Sequence, residues 1–204
     1  MRWFPALPLA AVAALAACSV RDAGPKLSDL HGVLIEPKIG KPTFTLTATD
    51  GRPYAFRERT RGKLTLLFFG YTNCPDVCPV HTANIASVLH TMSWEDRQRI
   101  TFVFVTTDPD RDSLPALRAW LWHFDSSFVG LRGPIDSVNA IQARLNLPGA
   151  VAVPTGDGNA YGVQHSAVVI AFQPDDTARV MYPFGVRQHD WAADLPKLLG
   201  HKQP

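Results

Sequence analysis

Three apolar runs constrain the fold of this chain more than any other feature of its sequence. Each run is almost uninterrupted by polar residues, which is typical of strands that are buried on both faces of a sheet. Segments rich in helix-forming residues lie between the runs and after them. Strands that alternate with helices predict an α/β domain whose sheet is covered on both faces. The runs are residues 64–69, 100–105 and 167–172.

A hairpin is predicted near the start of the folded part of the chain. Residues 44–47 alternate apolar and polar side chains, Asp50-Gly51-Arg52 is typical of a tight turn, and residues 54–56 continue as a second strand. We expect the compact domain to span residues 39–200, with this N-terminal β-hairpin added to it. Residues 18–38 show no sustained periodicity of about 2.0 or 3.6 residues, so the pattern predicts a tether there.

The length and charge of the chain limit its class and its partners. Its 204 residues, 46% of them hydrophobic and 19% charged, fit one globular domain rather than a disordered chain. The 20 basic and 18 acidic residues give a formal charge of only +2. Such a balance lacks the basic surface that binds a phosphate backbone, so no nucleic-acid partner is expected.

The first 17 residues have the features of an export signal. Arg2 is followed by an uncharged, apolar, alanine-rich stretch that ends in small residues. The stretch is too short for a membrane-spanning helix and contains prolines. Its end, Leu15-Ala16-Ala17-Cys18, resembles a bacterial lipobox, in which the cysteine becomes the lipidated first residue. We expect residues 1–17 to be a lipoprotein signal peptide, and the protein to be exported and lipid-anchored through Cys18 on the periplasmic side of a bacterial membrane. The alternative is a plain secretory signal with an incidental cysteine.

The chain has only three cysteines, too few for a fold held together by disulfides. Lipidation of Cys18 leaves Cys74 and Cys78, directly after the first apolar run, as the only thiol pair. Two cysteines at this spacing can be joined by a disulfide, by a metal ion, or by both in turn. Two geometries are open: both cysteines on one face of a helix, or both in a tight turn before a helix that begins at Pro79.

A histidine is the strongest candidate for a third group near the cysteines. Ordinary thioredoxins have two residues between their cysteines and a proline opposite them. Here three residues separate Cys74 from Cys78, and the one comparable proline, Pro154, is followed by a loop. His165 enters the next strand, so in a thioredoxin-like sheet its imidazole faces the cysteine turn. His81 is the rival, because Cys74, Cys78 and His81 fall at i, i+4 and i+7 of a helix.

These residues resemble the Sco/SenC family of copper-binding, thioredoxin-like proteins that act in cytochrome c oxidase assembly. The resemblance runs from about residue 39 to the last pair of strands, and it implies a thioredoxin-like three-layer α/β/α sandwich. The motifs that carry it are residues 44–46 with Asp50-Gly51, Phe69-Gly70-Tyr71-Thr72-Asn73-Cys74-Pro75-Asp76-Val77-Cys78-Pro79, Asp108-Pro109-Asp110-Arg111-Asp112, residues 128–131, and Val163-Gln164-His165-Ser166.

The resemblance also implies a copper site made of the Cys74 and Cys78 thiolates and the His165 imidazole. This soft donor set suits Cu+ and tolerates Cu2+. Many family members have aspartate where this chain has Gln164, which we expect to change the charge near the site but not its ligands. Asp108 matches a family aspartate that lies close to the cysteines, so we expect it to orient His165 or to tune the copper. The other interpretation of Asp108 is a polar turn with internal charge pairing.

The function implied by the resemblance is that of a membrane-anchored copper metallochaperone. Its partners would be cytochrome c oxidase subunit II, whose dinuclear copper centre it supplies or prepares, or a copper-donor protein. The alternative is a thiol–disulfide oxidoreductase that reduces the subunit II cysteines, with Cys74 and Cys78 as a catalytic redox pair and His165 as a proton relay. A redox sensor without copper delivery is a third alternative.

Overall fold

The computed structural model describes Met1, residues 29–156 and residues 160–201. The predicted signal peptide, the lipidation at Cys18 and the first part of the predicted tether lie outside the described residues. None of the helices that the structure describes is long and apolar enough to cross a membrane.

The strands are β1 (Val33–Gly40), β2 (Thr45–Ala48), β3 (Pro53–Ala55), β4 (Leu64–Gly70), β5 (Ile100–Thr106), β6 (Val129–Arg132), β7 (Val151–Pro154), β8 (Tyr161–Gln164), β9 (Val168–Phe172) and β10 (Thr177–Pro183). The helices are α1 (Phe56–Arg59), α2 (Val77–Thr91), α3 (Trp94–Gln98), α4 (Leu114–Trp122), α5 (Ile135–Arg144) and α6 (Gln188–Leu198).

The main sheet has eight strands in the order β1-β10-β9-β4-β5-β6-β2-β3. β4 lies at its centre, parallel to β5 and antiparallel to β9. All seven residues of β4 are buried. The three apolar runs therefore form the three central strands, and the prediction that they are buried on both faces is confirmed.

Helices cover both faces of this sheet, which confirms the three-layer α/β/α architecture. Leu66 and Phe68 of β4 contribute to a core that includes residues of α2, α4 and α6. Leu67 and Phe69 contribute to a second core that includes residues of α1 and α5. Because successive side chains of a strand point to opposite faces, one apolar run supplies both cores. Each such side chain stabilises the fold by about 1.5–3 kcal/mol on full burial.

β1 corrects the predicted tether. The sequence pattern predicts a tether up to residue 38, but β1 pairs with β10 at the edge of the main sheet, and its Ile35 is buried. The register between the two strands shifts between Leu34 and Ile39, so the alternation that would reveal a strand is interrupted. Pro37 fits an edge strand, where a missing N–H leaves no gap in the sheet. The domain therefore begins before residue 39.

Two smaller pairings complete the chain. β2 and β3 are antiparallel neighbours, at the position of the predicted hairpin, and β2 joins the main sheet by pairing with β6. Gly51, at a φ of 81°, lies in the turn between them. β7 and β8 form a separate antiparallel ribbon that is not part of the main sheet. This ribbon carries the chain to His165, which follows β8 directly.

Candidate metal centre

The cysteines lie where β4 ends and α2 begins. The loop after Gly70 turns so that the Cys74 N–H donates to the Tyr71 carbonyl, at 3.2 Å. α2 begins at Val77, so Cys78 lies in its first turn while Cys74 precedes it. The observed geometry lies between the two predicted ones. Pro79 is tolerated in the first turn because N–H groups there have no partner within the helix.

The two sulfurs are free thiols with different surroundings. Cys78 is fully buried, whereas Cys74 is partly exposed. The Cys78 N–H points at the Cys74 sulfur, at 3.4 Å. A hydrogen bond from the Cys78 side chain, with others from His165 and from backbone N–H groups, lowers the pKa of the Cys74 thiol to about 3. Burial raises the pKa of the Cys78 thiol. The first thiolate to form is therefore at Cys74.

His165 completes the group from the loop between β8 and β9. Its Nε2 lies 3.5 Å from the Cys78 sulfur, and its Nδ1 lies 3.1 Å from the Ser166 carbonyl oxygen. Because a carbonyl can only accept, this contact calls for a ring proton on Nδ1. Nε2 is then the ring nitrogen that faces the sulfurs, and it can bind a metal ion once it carries no proton. The edge-on rings of Tyr71 and Phe68, at 5.5 and 6.2 Å between centroids, flank the imidazole.

The potential ligand atoms of Cys74, Cys78 and His165 all lie within 4.8 Å of one another. In the part of the chain that the structure describes, no other three histidine, cysteine or acidic side chains converge in this way. Two thiolate sulfurs are soft donors and an imidazole nitrogen suits copper and zinc, so this set selects copper or zinc over magnesium or calcium. The structure thus brings together the three residues that the sequence predicts as ligands.

His81, the rival third ligand, does not join this group. Its side chain is buried on α2, its Nε2 faces the Ala167 carbonyl oxygen at 3.4 Å, and its ring packs against Phe68 and Phe184. Burial lowers the pKa of His81, so the ring stays neutral in the core. His81 therefore packs in the core beside the metal centre and is not one of its potential ligands.

Asp108 lies near the site, but its carboxylate is held by other partners. Its Oδ2 pairs with Nε of Arg111 at 2.5 Å, and its Oδ1 accepts a hydrogen bond from the Tyr161 hydroxyl at 2.9 Å. His165 Nδ1 faces the Ser166 carbonyl rather than this carboxylate, and the expected role of Asp108 in orienting His165 or tuning the copper stays a prediction. The alternative interpretation, charge pairing within the turn, describes the Asp108–Arg111 contact.

Asp112 supports the site in a way that the sequence does not reveal. The next residue, Ser113, is the cap of α4, since its Oγ accepts the Ala116 N–H at 3.3 Å. Asp112 is fully buried. Its carboxylate accepts hydrogen bonds from the Thr72 N–H at 3.1 Å, the Thr72 hydroxyl at 2.5 Å and the Thr106 hydroxyl at 2.5 Å. It therefore ties the loop that carries the cysteines to the end of β5.

Fold and site together define a thioredoxin-like protein with a cysteine–cysteine–histidine centre for a soft metal ion. Comparison with known proteins specifies the family. The sequence model of the SCO1/SenC family matches residues 34–200, and the chain belongs to that family. The match begins within β1, in agreement with the corrected start of the domain.

Individual relatives are of modest identity. A Stutzerimonas stutzeri protein whose name refers to copper binding is 28% identical over 179 residues, which span 87% of this chain and 86% of that protein. The mitochondrial protein SCO2 of Saccharomyces cerevisiae is 28% identical, but the match spans 67% of this chain and only 45% of that longer protein. The structure of Bradyrhizobium japonicum ScoI with copper bound is 32% identical, with a TM-score of 0.69, and covers 79% of this chain and 99% of that chain.

Proposed function

We propose that this protein is a copper metallochaperone that acts in assembly of the dinuclear copper centre of cytochrome c oxidase subunit II. Cys74, Cys78 and His165 hold the copper. The observation that carries the proposal is the convergence of their ligand atoms within 4.8 Å in a family member. Binding requires the reduced cysteines, because a disulfide between them removes both sulfur ligands.

The placement of the ligands suits temporary binding of a copper ion that is passed on. Cys74 is partly exposed at the surface, while Cys78 is fully buried beneath it. An incoming acceptor thiolate reaches the copper from the Cys74 side, so the ion can be transferred by exchange of one ligand at a time. The three-ligand set leaves room for that extra donor.

The cellular location is part of the same proposal. Cleavage of residues 1–17 and lipidation of Cys18 would hold the protein on the periplasmic side of a bacterial membrane. The support for this is the sequence pattern alone. C18S should release the protein from the membrane fraction, and unchanged retention would contradict the anchor.

A complementation assay tests the proposal in cells that lack this protein. C74S, C78S and H165A should each abolish the recovery of cytochrome c oxidase activity, because each removes one copper ligand. H81F, which changes a buried histidine outside the ligand group, should recover it. Full recovery by H165A would overturn copper delivery as the function.

The unequal environments of the two thiols favour a second candidate function, that of a thiol–disulfide reductase. The Cys74 thiolate attacks one sulfur of a disulfide in subunit II and releases the other sulfur as a thiolate. The Cys78 thiolate then displaces the target, so two electrons reduce the target disulfide as the Cys74–Cys78 disulfide forms. In this case the copper-free dithiol should reduce an oxidised subunit II fragment, and H165A should still support oxidase assembly.

A further inference from the structure

The side chain of Arg111 joins the loop between β5 and α4 to the first residue of β8. Its Nε pairs with Asp108 Oδ2 at 2.5 Å, and its Nη1 donates to the Tyr161 carbonyl oxygen at 3.0 Å. The guanidinium also lies over the Tyr161 ring, 3.7 Å from its centroid. The Tyr161 hydroxyl in turn donates to Asp108 Oδ1, so each of the three residues contacts the other two. We call these three residues, Asp108, Arg111 and Tyr161, the arginine clamp.

The ion pair and the hydrogen bonds of the arginine clamp are strong interactions. The Asp108 side chain is only 3% exposed, so loss of Arg111 would leave its buried carboxylate without an opposite charge. Charge-assisted hydrogen bonds are shorter and stronger than those between neutral groups. Arg111 supplies directed hydrogen bonds and a flat stacking surface at once, which the single ammonium group of lysine does not.

The clamp is important for the site because of where β8 lies in the fold. β8 pairs only with β7, in a ribbon that is separate from the main sheet in the described structure. Contacts outside the strand ladders must therefore fix this ribbon against the rest of the domain. His165 follows the last residue of β8, four residues after Tyr161, so the clamp holds the strand that delivers the imidazole.

A second contact leads from the same guanidinium to the same imidazole. Arg111 lies over the Tyr71 ring, 5.9 Å from its centroid. The Tyr71 ring meets the His165 ring edge-on at 5.5 Å. Arg111 is thus connected to His165 through β8 on one side and through an aromatic ring on the other.

We propose that Arg111, held by Asp108 and Tyr161, is a positioning residue for His165 that sets how tightly the site retains copper. This proposal rests on the proposed function, because it concerns the same three ligands. Asp108 then acts on the metal centre through Arg111 and β8 rather than through contact with His165. Loss of the clamp frees β8 and lets the imidazole move away from the two sulfurs.

Whether the loss of Arg111 weakens or tightens copper binding distinguishes a positioning role from a purely electrostatic one. A guanidinium near the site repels a copper cation, so removal of its charge alone should tighten binding. Removal of a positioning residue should weaken binding, typically by about tenfold or more for partners that orient a metal ligand. R111M and R111K distinguish the two effects further, since lysine keeps the charge but loses the stacked fork.

The test is a double-mutant cycle on Cu+ affinity, measured by competition with a chromophoric chelator on the reduced full-length protein. R111M and R111K should each weaken binding by about tenfold when His165 is present and by less than about twofold in the H165A background. R118M is the matched control, because Arg118 also lies over an aromatic ring, that of Trp122, but is not part of the clamp. It should leave the affinity unchanged. Equal weakening by R111M in both backgrounds, or tighter binding, would overturn the proposal.

A copper-free measurement keeps this proposal separate from the proposed function. In NMR spectra of the reduced apoprotein, contacts between the Tyr71 and His165 rings should persist in R118M and disappear in R111M. Y161F is the milder variant if R111M does not fold, since it removes only the hydroxyl contact to Asp108 and should weaken both readouts in the same direction. Unchanged ring contacts in both R111M and Y161F would overturn the clamp. A parent protein that fails to bind copper but loses these ring contacts in R111M would overturn the proposed function alone.

Discussion

The sulfur of Cys78 lies against Gly70, so close that a side chain at residue 70 would collide with it. A β carbon built on Gly70 would come within 2.8 Å of the Cys78 sulfur and within 3.0 Å of the Phe104 ring. β4 ends at this glycine, and its missing side chain lets the first turn of α2 bring Cys78 directly onto the end of the strand. Because residue 70 has no β carbon, the buried Cys78 sulfur can lie this close to the end of β4.

G70A should displace Cys78 and weaken the site. The added methyl group has no free space, and overpacking of this kind typically costs about 1–3 kcal/mol of stability. Copper affinity should fall with it, because the Cys78 sulfur must move relative to Cys74 and His165. Urea unfolding and chelator competition measure the two losses. G40A is the matched control, since nothing lies within 4 Å of a β carbon at Gly40, and affinity equal to that of G40A would contradict this account.

D112A should release the loop that carries the cysteines. Without the carboxylate, the Thr72 N–H and the Thr106 hydroxyl lose their acceptor, and unpaired buried polar groups cost about 1–3 kcal/mol. We expect lower stability and weaker copper binding from D112A and neither change from D110A, which alters an exposed neighbour. If D112A lowers stability but leaves copper affinity intact, Asp112 does not position the cysteines.

Alkylation of the reduced protein should distinguish the two thiols. The pKa of Cys74 is lowered from its ordinary value of 9.0 to about 3, so its thiolate fraction stays nearly complete across the neutral range. The rate of Cys74 modification by iodoacetamide should therefore be almost constant between about pH 5 and pH 8, where an ordinary thiol gains about tenfold per unit. Cys78, which is buried, should react more slowly. Mass spectrometry after timed labelling gives both rates, and a tenfold gain per unit at Cys74 would refute the prediction.

Acid should destabilise the fold in part through His81. Burial lowers the pKa of His81 below its ordinary value of 6.5, so the unfolded chain takes up a proton there that the folded chain excludes. The stability that depends on the neutral ring is present above 6.5 and is lost as the pH falls below it, by up to about 1.4 kcal/mol per unit. Urea unfolding of wild type and H81F at pH values on either side of 6.5 measures this contribution. An identical pH dependence in the two proteins would show that His81 does not titrate on unfolding.

The central architecture could be predicted because it depends on simple patterns. A strand that is covered on both faces must be almost wholly apolar, and β4, β5 and β9 are. β1 could not be predicted from periodicity, since the shift in its register breaks the alternation. The ribbon of β7 and β8 was missed for a related reason. All four residues of β7 are exposed, so the strand has no buried face to produce a pattern.

The ligands and their supports differ in how much of them the sequence reveals. Cys74 and Cys78 stand out because thiols are rare in this chain, and His165 follows from the resemblance to a known family. Asp112 does not stand out, because it is one of three aspartates in a short polar turn and only its burial identifies its role. The same is true of Arg111, whose partner Tyr161 lies 50 residues away in the chain. The spacing of residues does not reveal contacts of this range.

X-ray absorption spectroscopy of the reduced protein loaded with Cu+ identifies the atoms that bind the metal. We predict a copper ion bound by two sulfurs and one nitrogen, with the nitrogen lost in H165A and kept in H81F. Loss of the nitrogen in H81F, its persistence in H165A, or a copper ion with fewer than two sulfur ligands would contradict the assignment of Cys74, Cys78 and His165 as the metal centre.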